Sequence, residues 1–240
     1  MSQKMTLEEA GRFLSNWMTQ KPDHVKAQKE ALDLYGRYFA LSNIPNITQE
    51  GFKEFLLLKN NRHWAGIHRQ PSIYADMDRL RHCLTILLEE SFPIEKRLDN
   101  IIPKEGPPFI KGLGRAVLTP ILMCVYPDKY AVYNRISEEA LTRLGRNAIK
   151  STDSFAKRYV ALNQACREIS TDIGQPLYLV DSMFSLMVHG LESPLVGPLP
   201  PAVTTPPETL GEPGEQPTEA QIDGPRFTLE KYLQEFIITN

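Results

Sequence analysis

The segment Ile110–Arg115, Ile-Lys-Gly-Leu-Gly-Arg, combines two glycines and two basic residues in front of an apolar helical stretch. Glycines permit a tight turn and remove side chains, so backbone amides at the helix start can face an anion. The amides expected to do so are those of Leu113, Gly114 and Arg115. The pattern predicts a phosphate-binding turn between two helices, and the alternative is a turn that only joins two core helices.

Basic residues are concentrated around this turn. The whole chain has a formal net charge of -2, whereas residues 111–150 hold seven basic and three acidic residues, which leaves +4. A local positive excess favours a polyanionic partner such as DNA over a neutral one. The alternative is that these residues only form solvated helix faces. DNA phosphate contacts are predicted for Lys111, Gly112, Leu113, Gly114, Arg115, Lys129 and Arg135.

Three further side chains have the chemistry to contact a base. Trp64 lies in a loop that also holds two histidines and two arginines, and Tyr133 and Asn134 lie in the loop after the hairpin helix. Aromatic faces stack on nucleobases, and amides form hydrogen bonds with their edges. We predict that Trp64, Tyr133 or Asn134 reads a distorted, modified or flipped base. The alternative for Trp64 is packing in the core.

The spacing of the cysteines and histidines does not predict a metal site. Cys83, Cys124 and Cys166 are far apart in apolar helical contexts, and His63 and His68 are five apart instead of the four of a helical zinc pair. The cysteines therefore predict reduced core thiols in a cytoplasmic protein. No signal peptide or apolar run of membrane-spanning length is apparent, so no membrane partner is expected.

Apolar residues recur at helical spacing from Leu7 to Gly190, and no segment has a strand pattern. We predict an all-α fold: a multi-helix domain over residues 1–190 that contains a helix-hairpin-helix. Nine of the 19 prolines fall between Pro194 and Pro225, so residues 191–226 are predicted to form an acidic disordered linker. Residues 227–240 resume helical periodicity as a short amphipathic helix, which could bind a protein partner.

Three motifs in order resemble the helix-hairpin-helix DNA glycosylase superfamily, which includes endonuclease III-like enzymes: Gly112-Leu113-Gly114, Ala131-Val132-Tyr133-Asn134 and Arg143-Leu144-Gly145. The resemblance covers residues 109–146. It implies that the hairpin binds a DNA phosphate, with a monovalent cation held by the hairpin carbonyls and no other cofactor.

The chain departs from that family where the chemistry takes place. The position of the catalytic aspartate falls at Tyr133 or Asn134, and that of the lysine of bifunctional members falls near Ala116. Neither tyrosine nor asparagine can supply a carboxylate. Asp128 is the nearest carboxylate to that position and the one catalytic candidate. Because the expected aspartate and lysine are both absent, this chain is predicted to be non-catalytic.

The final segment, Leu-Glu-x-Tyr-Leu-x-x-Phe from Leu229, is similar to the opening helix of PD-(D/E)XK nuclease domains of the restriction-endonuclease type. Together these features predict a non-catalytic DNA-binding module, the recognition domain of a restriction or repair nuclease. Two alternatives remain open. One is a base-excision glycosylase that uses Asp128, and the other is a helical adaptor that binds protein through residues 227–240.

Overall fold

The structure, a computed structural model, describes residues 4–57, 71–102 and 108–190. Within these ranges the chain forms nine α-helices and two short 3-10 helices and has no strand, which confirms the predicted all-α fold. The 3-10 helices are Leu41–Asn46 and Pro71–Ile73. The α-helices are α1 (Leu7–Gln20), α2 (Pro22–Tyr38), α3 (Gln49–Phe55), α4 (Met77–Leu88), α5 (Ile94–Ile101), α6 (Arg115–Val125), α7 (Arg135–Arg143), α8 (Phe155–Ile173) and α9 (Leu177–His189).

Most helix ends follow local sequence signals. The predicted capping box is present at α1, where the Thr6 hydroxyl accepts from the Glu9 amide and the Glu9 carboxylate accepts from the Thr6 amide. Two boundaries differ from the sequence-based prediction, which continues α2 through Phe39 until Asn43 and Pro45 and starts α6 near Leu113. Helix α2 ends at Tyr38, because the next residues turn into the 3-10 helix that contains Pro45. Helix α6 begins at Arg115, because the hairpin turn extends as far as Gly114.

Helix α6 lies at the centre of the fold and is buried from Val117 to Cys124. It packs against α2 and α4, while α7 packs against α9, α5 against α8, and α1 against α9. At the crossing with α2, a Cβ atom added to Gly36 would lie 2.6 Å from the carbonyl oxygen of Cys124. No side chain fits at that distance, so glycine allows the two backbones to touch.

Pro120 is accommodated within α6 without ending the helix. Its ring removes one backbone donor from the helix. The neighbouring Thr119 hydroxyl donates to the Arg115 carbonyl oxygen at 2.7 Å and accepts from the Tyr133 amide at 2.9 Å. The irregular part of α6 is therefore the place where the following loop attaches to it.

Several predictions concern residues outside the described ranges. Trp64, the linker 191–226 and the C-terminal segment 227–240 are among these, so the domain boundaries stay predictions. The three cysteines are free and buried, as their apolar contexts predict. In the described part of the chain, none of the helices has the length and apolar character needed to cross a membrane.

Candidate nucleic-acid interface

The hairpin turn, residues 110–114, is a tight turn fixed by its own backbone. Gly112 has φ 92, a conformation that favours glycine. The Leu113 amide donates to the Ile110 carbonyl at 3.1 Å, and the Gly114 amide donates to the Gly112 carbonyl at 2.9 Å. The buried Leu113 side chain anchors the turn in the core. Both amides therefore close the turn in this structure, and the phosphate contact predicted for Leu113 and Gly114 stays a prediction.

The amides that remain available are the first two of α6. No acceptor for the amides of Arg115 or Ala116 occurs among the residues that the structure describes. Gly114 is the N-cap residue and has no side chain to bond them, and a Cβ atom added there would meet nothing within 4 Å. The helix start is thus uncapped and sterically open, and unsatisfied amides at a helix start attract anions.

The hairpin carbonyls do not form a free set of ligands for a monovalent cation. Those of Ile110 and Gly112 accept the turn hydrogen bonds, and that of Lys111 accepts a hydrogen bond of 2.9 Å from the Ser72 hydroxyl. Each of these three oxygens accepts one hydrogen bond and keeps a second lone pair, so the cation that the family resemblance implies stays a prediction. We assign it no role.

Arg115, in the first turn of α6, contacts the loop that precedes α7. Its guanidinium carbon lies 4.7 Å from the centroid of the Tyr133 ring, and its Nη1 atom lies 3.0 Å from Oε1 of Glu138. The Tyr133 hydroxyl donates to the same carboxylate oxygen at 2.6 Å. Burial and this hydrogen bond raise the pKa of Tyr133. The Glu138 carboxylate therefore accepts hydrogen bonds from both the Arg115 guanidinium and the Tyr133 hydroxyl.

An aromatic stack of Tyr133, Phe155 and Tyr159 joins this group to α8. The Tyr133 and Phe155 rings are 5.6 Å apart at an interplanar angle of 8°, and Tyr159 stacks behind them. Tyr133 immediately precedes the N-cap of α7, and Phe155 is the first residue of α8. The starts of α6, α7 and α8 consequently meet around one ring, and we call this region the convergent end.

The convergent end has a positive excess. Within four residues of the three helix starts there are five cations and three carboxylates. The described residues provide an ion-pair partner for one of these cations, Arg115. Each helix start also contributes about half a positive charge from its aligned peptide dipoles. The five cations are Lys111, Arg115, Arg135, Lys157 and Arg158, and the three carboxylates are Glu138, Glu139 and Asp153.

The loop 126–134 runs back along α8, away from the convergent end. The Asn163 side chain accepts from the Ala131 amide at 2.7 Å and donates to the Lys129 carbonyl at 2.9 Å, and the Tyr159 hydroxyl donates to the Ala131 carbonyl. Asn163 is eight residues beyond Phe155, which at ~1.5 Å per residue is about 12 Å along the helix. These contacts fix the loop's position on α8.

Lys129 therefore lies apart from the hairpin turn, although the sequence predicts phosphate contacts for both. Its ammonium is 2.7 Å from the carboxylate of Glu90, which raises the pKa of Lys129 and lowers that of Glu90. The hydroxyl of Tyr130 also donates to Glu90 and accepts from the buried Arg97. Lys129 belongs to this network, and its charge is already matched by a carboxylate.

Asp128 lies still farther along α8. It borders a shallow depression of about 290 Å³ together with Gln164, Arg167, Thr171 and other residues of the same region. None of the residues that line this depression belongs to the hairpin turn. The structure thus separates the one candidate catalytic carboxylate from the candidate phosphate site, which gives no geometric support to a glycosylase reaction at Asp128.

The predicted base-reading residues that the structure describes are buried. Tyr133 has no exposed surface and Asn134 is 6% exposed. The Asn134 side chain accepts from the Ser137 amide as the N-cap of α7, and the Ser137 hydroxyl accepts from the Asn134 amide. Both side chains thus build the fold in this conformation and present no surface to a base.

Sequence reasoning overlooked Arg158, which lies at the convergent end on α8. Its Nε atom is buried without a hydrogen-bond partner, and its positive charge acts on Tyr133. The signal that could have located it is the pair Phe155 and Tyr159. Two aromatic residues four apart form one face of a helix on which a third ring can stack, and Arg158 lies between them in the chain.

Comparisons of the chain with protein-family models, with curated proteins and with solved structures gave no match.

Proposed function

We propose that this chain is a non-catalytic DNA-binding module that holds the sugar-phosphate backbone at the convergent end. The observation on which the proposal rests is the uncapped, sterically open start of α6 within a cluster of five cations, four of which have no ion-pair partner in the described ranges. Backbone amides at a helix start and nearby guanidinium groups are the donors that phosphate oxygens accept from. Lys111 and Arg135 are exposed and have no ion-pair partner in the described ranges, so both are available to neighbouring phosphates.

The contacts in this proposal are made to phosphates and not to bases. Amides, lysines and arginines that bond phosphate oxygens fix the position of a protein on DNA and are indifferent to sequence. The binding is therefore expected to be salt-dependent and of low sequence preference. A partner domain that supplies the chemistry is consistent with this function, because Asp128, the one candidate catalytic carboxylate, lies apart from the hairpin turn.

The sharpest test replaces Gly114 with aspartate. At this N-cap position an aspartate side chain would bond the free amides of α6 and place a negative charge where the phosphate is proposed to bind. We expect Gly114→Asp to melt at or above the temperature of the wild type and to bind labelled duplex DNA at least about tenfold more weakly at low salt.

Gly114→Ala is the matched control, since a methyl group fits in the open space beside Gly114 and neither caps the helix nor adds charge. It is expected to bind DNA like the wild type. Equal DNA affinity of the wild type and a folded Gly114→Asp protein would contradict the proposal, as would a wild type that does not bind DNA at low salt.

A further inference from the structure

Arg115 uses only one corner of its guanidinium group inside the protein. Its Nη1 atom donates to Oε1 of Glu138 at 3.0 Å, and its guanidinium carbon lies 4.7 Å from the centroid of the Tyr133 ring. The Tyr133 hydroxyl donates to the same carboxylate oxygen at 2.6 Å. The guanidinium is therefore held at two points, by the face of a buried ring and by a carboxylate oxygen that this ring's hydroxyl fixes in turn.

The other edge of the Arg115 guanidinium, formed by Nε and Nη2, has no acceptor in the described part of the chain. The side chain is 36% exposed, and neither atom is shut off from solvent. The Nε atoms of Arg97, Arg143 and Arg158 are, in contrast, buried without a partner. An intact guanidinium edge offers the two parallel N–H groups that bind a phosphate through two hydrogen bonds.

This geometry bears on what Glu138 does for Arg115. A carboxylate that competes with phosphate would take a two-donor edge of the guanidinium, whereas Glu138 takes a single donor and leaves the Nε and Nη2 edge intact. Arg115 is also the first residue of α6, so its guanidinium belongs to the same helix start as the two free amides. The pair therefore orients the arginine at the candidate phosphate site without using it up.

We propose that Tyr133 and Glu138 are positioning residues, which hold Arg115 so that its Nε and Nη2 atoms bind one phosphate of the DNA backbone. This inference rests on the proposed function and adds a side-chain contact to the free amides of α6. Arginine loses much side-chain entropy when it is ordered, and holding it beforehand reduces the loss on binding. Tyr133 thus contributes to binding through Arg115, although it is buried and presents no surface to a base.

The first experiment removes the phosphate contact itself and compares Arg115→Gln with Arg167→Gln in the full chain. Arg167 is an exposed arginine of α8 beside Asp128, so its replacement removes the same charge away from the convergent end. Duplex DNA binding is measured across a salt series. Losing one phosphate contact lowers the slope of log K against log salt by about 0.9. We expect that change for Arg115→Gln and an unchanged slope for Arg167→Gln.

The second experiment tests the positioning role of Glu138, with Glu139→Ala as the control. Glu139 is the next residue of α7 and pairs with Arg143 of its own helix, so both variants remove one negative charge from the same helix. Removing a negative charge by itself favours DNA binding. We nevertheless expect Glu138→Ala to bind about threefold or more weakly than Glu139→Ala, because Arg115 is no longer held. Glu138→Gln should recover this loss, since its amide oxygen can still accept from Nη1.

A double-mutant cycle separates positioning from a general effect on the fold. In the Arg115→Gln background, Glu138→Ala is expected to cause no further loss, because Glu138 acts through Arg115. Tyr133→Phe keeps the ring and removes the hydroxyl, so we expect it to weaken binding by less than Glu138→Ala does. Thermal melts establish that each variant is folded. If Glu138→Ala does not fold, Glu138→Ser takes its place, since its hydroxyl is too short to reach Arg115.

The outcomes separate this inference from the proposed function. If Gly114→Asp loses DNA binding but Arg115→Gln keeps the wild-type slope, the arginine contact is overturned and the helix-start site stands. Binding by Glu138→Ala that equals or exceeds that of Glu139→Ala overturns the positioning role of Glu138, as does an equal loss in both backgrounds. Wild-type affinity of Tyr133→Phe overturns the role of the Tyr133 hydroxyl. If the wild type does not bind DNA, both proposals fail.

Discussion

The two ends of α8 carry similar numbers of charges but use them differently. Near Phe155, Lys157 and Arg158 have no ion-pair partner in the described structure, and the positive pole of the helix adds to their charge. Towards the other end, Lys129 pairs with Glu90 and Arg146 pairs with Asp172 at 2.8 Å, and Arg167 is the one cation of that half of α8 without an ion-pair partner in the described ranges. A count of basic residues along the chain therefore says little about a binding site, whereas pairing and helix polarity distinguish the two ends.

The contrast depends on the loop 126–134 keeping its register along α8. Asn163 maintains that register, because its side chain bonds the Ala131 amide and the Lys129 carbonyl. We expect Asn163→Ala to have the largest effect of the changes considered, a loss of about 2–4 kcal/mol in the free energy of unfolding, since two backbone groups lose their partner. Urea denaturation measures this loss. A loss below about 0.5 kcal/mol, the level of an ordinary surface change such as Gln164→Ala, would show that the loop is held by other contacts.

DNA binding by variants at the two ends of α8 should be compared at a pH where the stability of the domain does not itself change. Asp181 of α9 is 8% exposed, and burial raises its pKa from 3.8 to about 7. Because the folded state holds this proton more tightly, its contribution to stability is complete below about pH 4 and is lost as the pH rises to 7. The free energy of unfolding of the wild type is therefore expected to fall by on the order of 2 kcal/mol as the pH rises from 5 to 8, and Asp181→Asn should remove this fall.

Denaturant unfolding of Asp181→Asn and the wild type at pH 5 and pH 8 provides the test. The variant is expected to gain stability relative to the wild type as the pH rises between these values. A difference that stays constant with pH would mean that Asp181 titrates normally. DNA-binding comparisons are best made at pH 8, where this group has finished titrating.

The smallest effect is expected for Lys129→Gln. The pair between Lys129 and Glu90 is exposed, and such pairs contribute about 0–1 kcal/mol. Because the ammonium is already matched by a carboxylate, we expect DNA affinity to change less than about twofold and the salt slope to stay that of the wild type. A slope lowered by about 0.9 would instead place Lys129 among the phosphate contacts and remove the contrast between the ends.

Local signals were sufficient for most of the fold. The capping box at Thr6 and the proline that opens α2 each act within one helical turn, so the sequence predicts them directly. The apolar periodicity likewise predicted an all-α fold, because a helix buries one face whatever it packs against. The end of α2 was harder to place, since α-helical and 3-10 turns share much of their sequence preference.

The candidate site was only partly predictable, because its parts come from distant places in the chain. The hairpin pattern located a turn followed by a helix, but the helix begins at Arg115 and not at Leu113, and which amides the turn uses internally depends on the conformation of Gly112. Tyr133 is brought against Arg115 and Phe155 by the packing of α6, α7 and α8. No local pattern encodes those contacts, and for the same reason the burial of Tyr133 was not anticipated.

The close contact between Gly36 and the Cys124 carbonyl has a consequence at the opposite end of α6. Close packing of the two backbones at the far end of α6 leaves the helix little room to shift along its axis, so we expect the amides at its start to be ordered before any ligand arrives. A site that is already ordered gives up little conformational entropy on binding. Association with DNA at this helix should therefore proceed without a slow rearrangement step, its rate set by diffusion and electrostatic attraction.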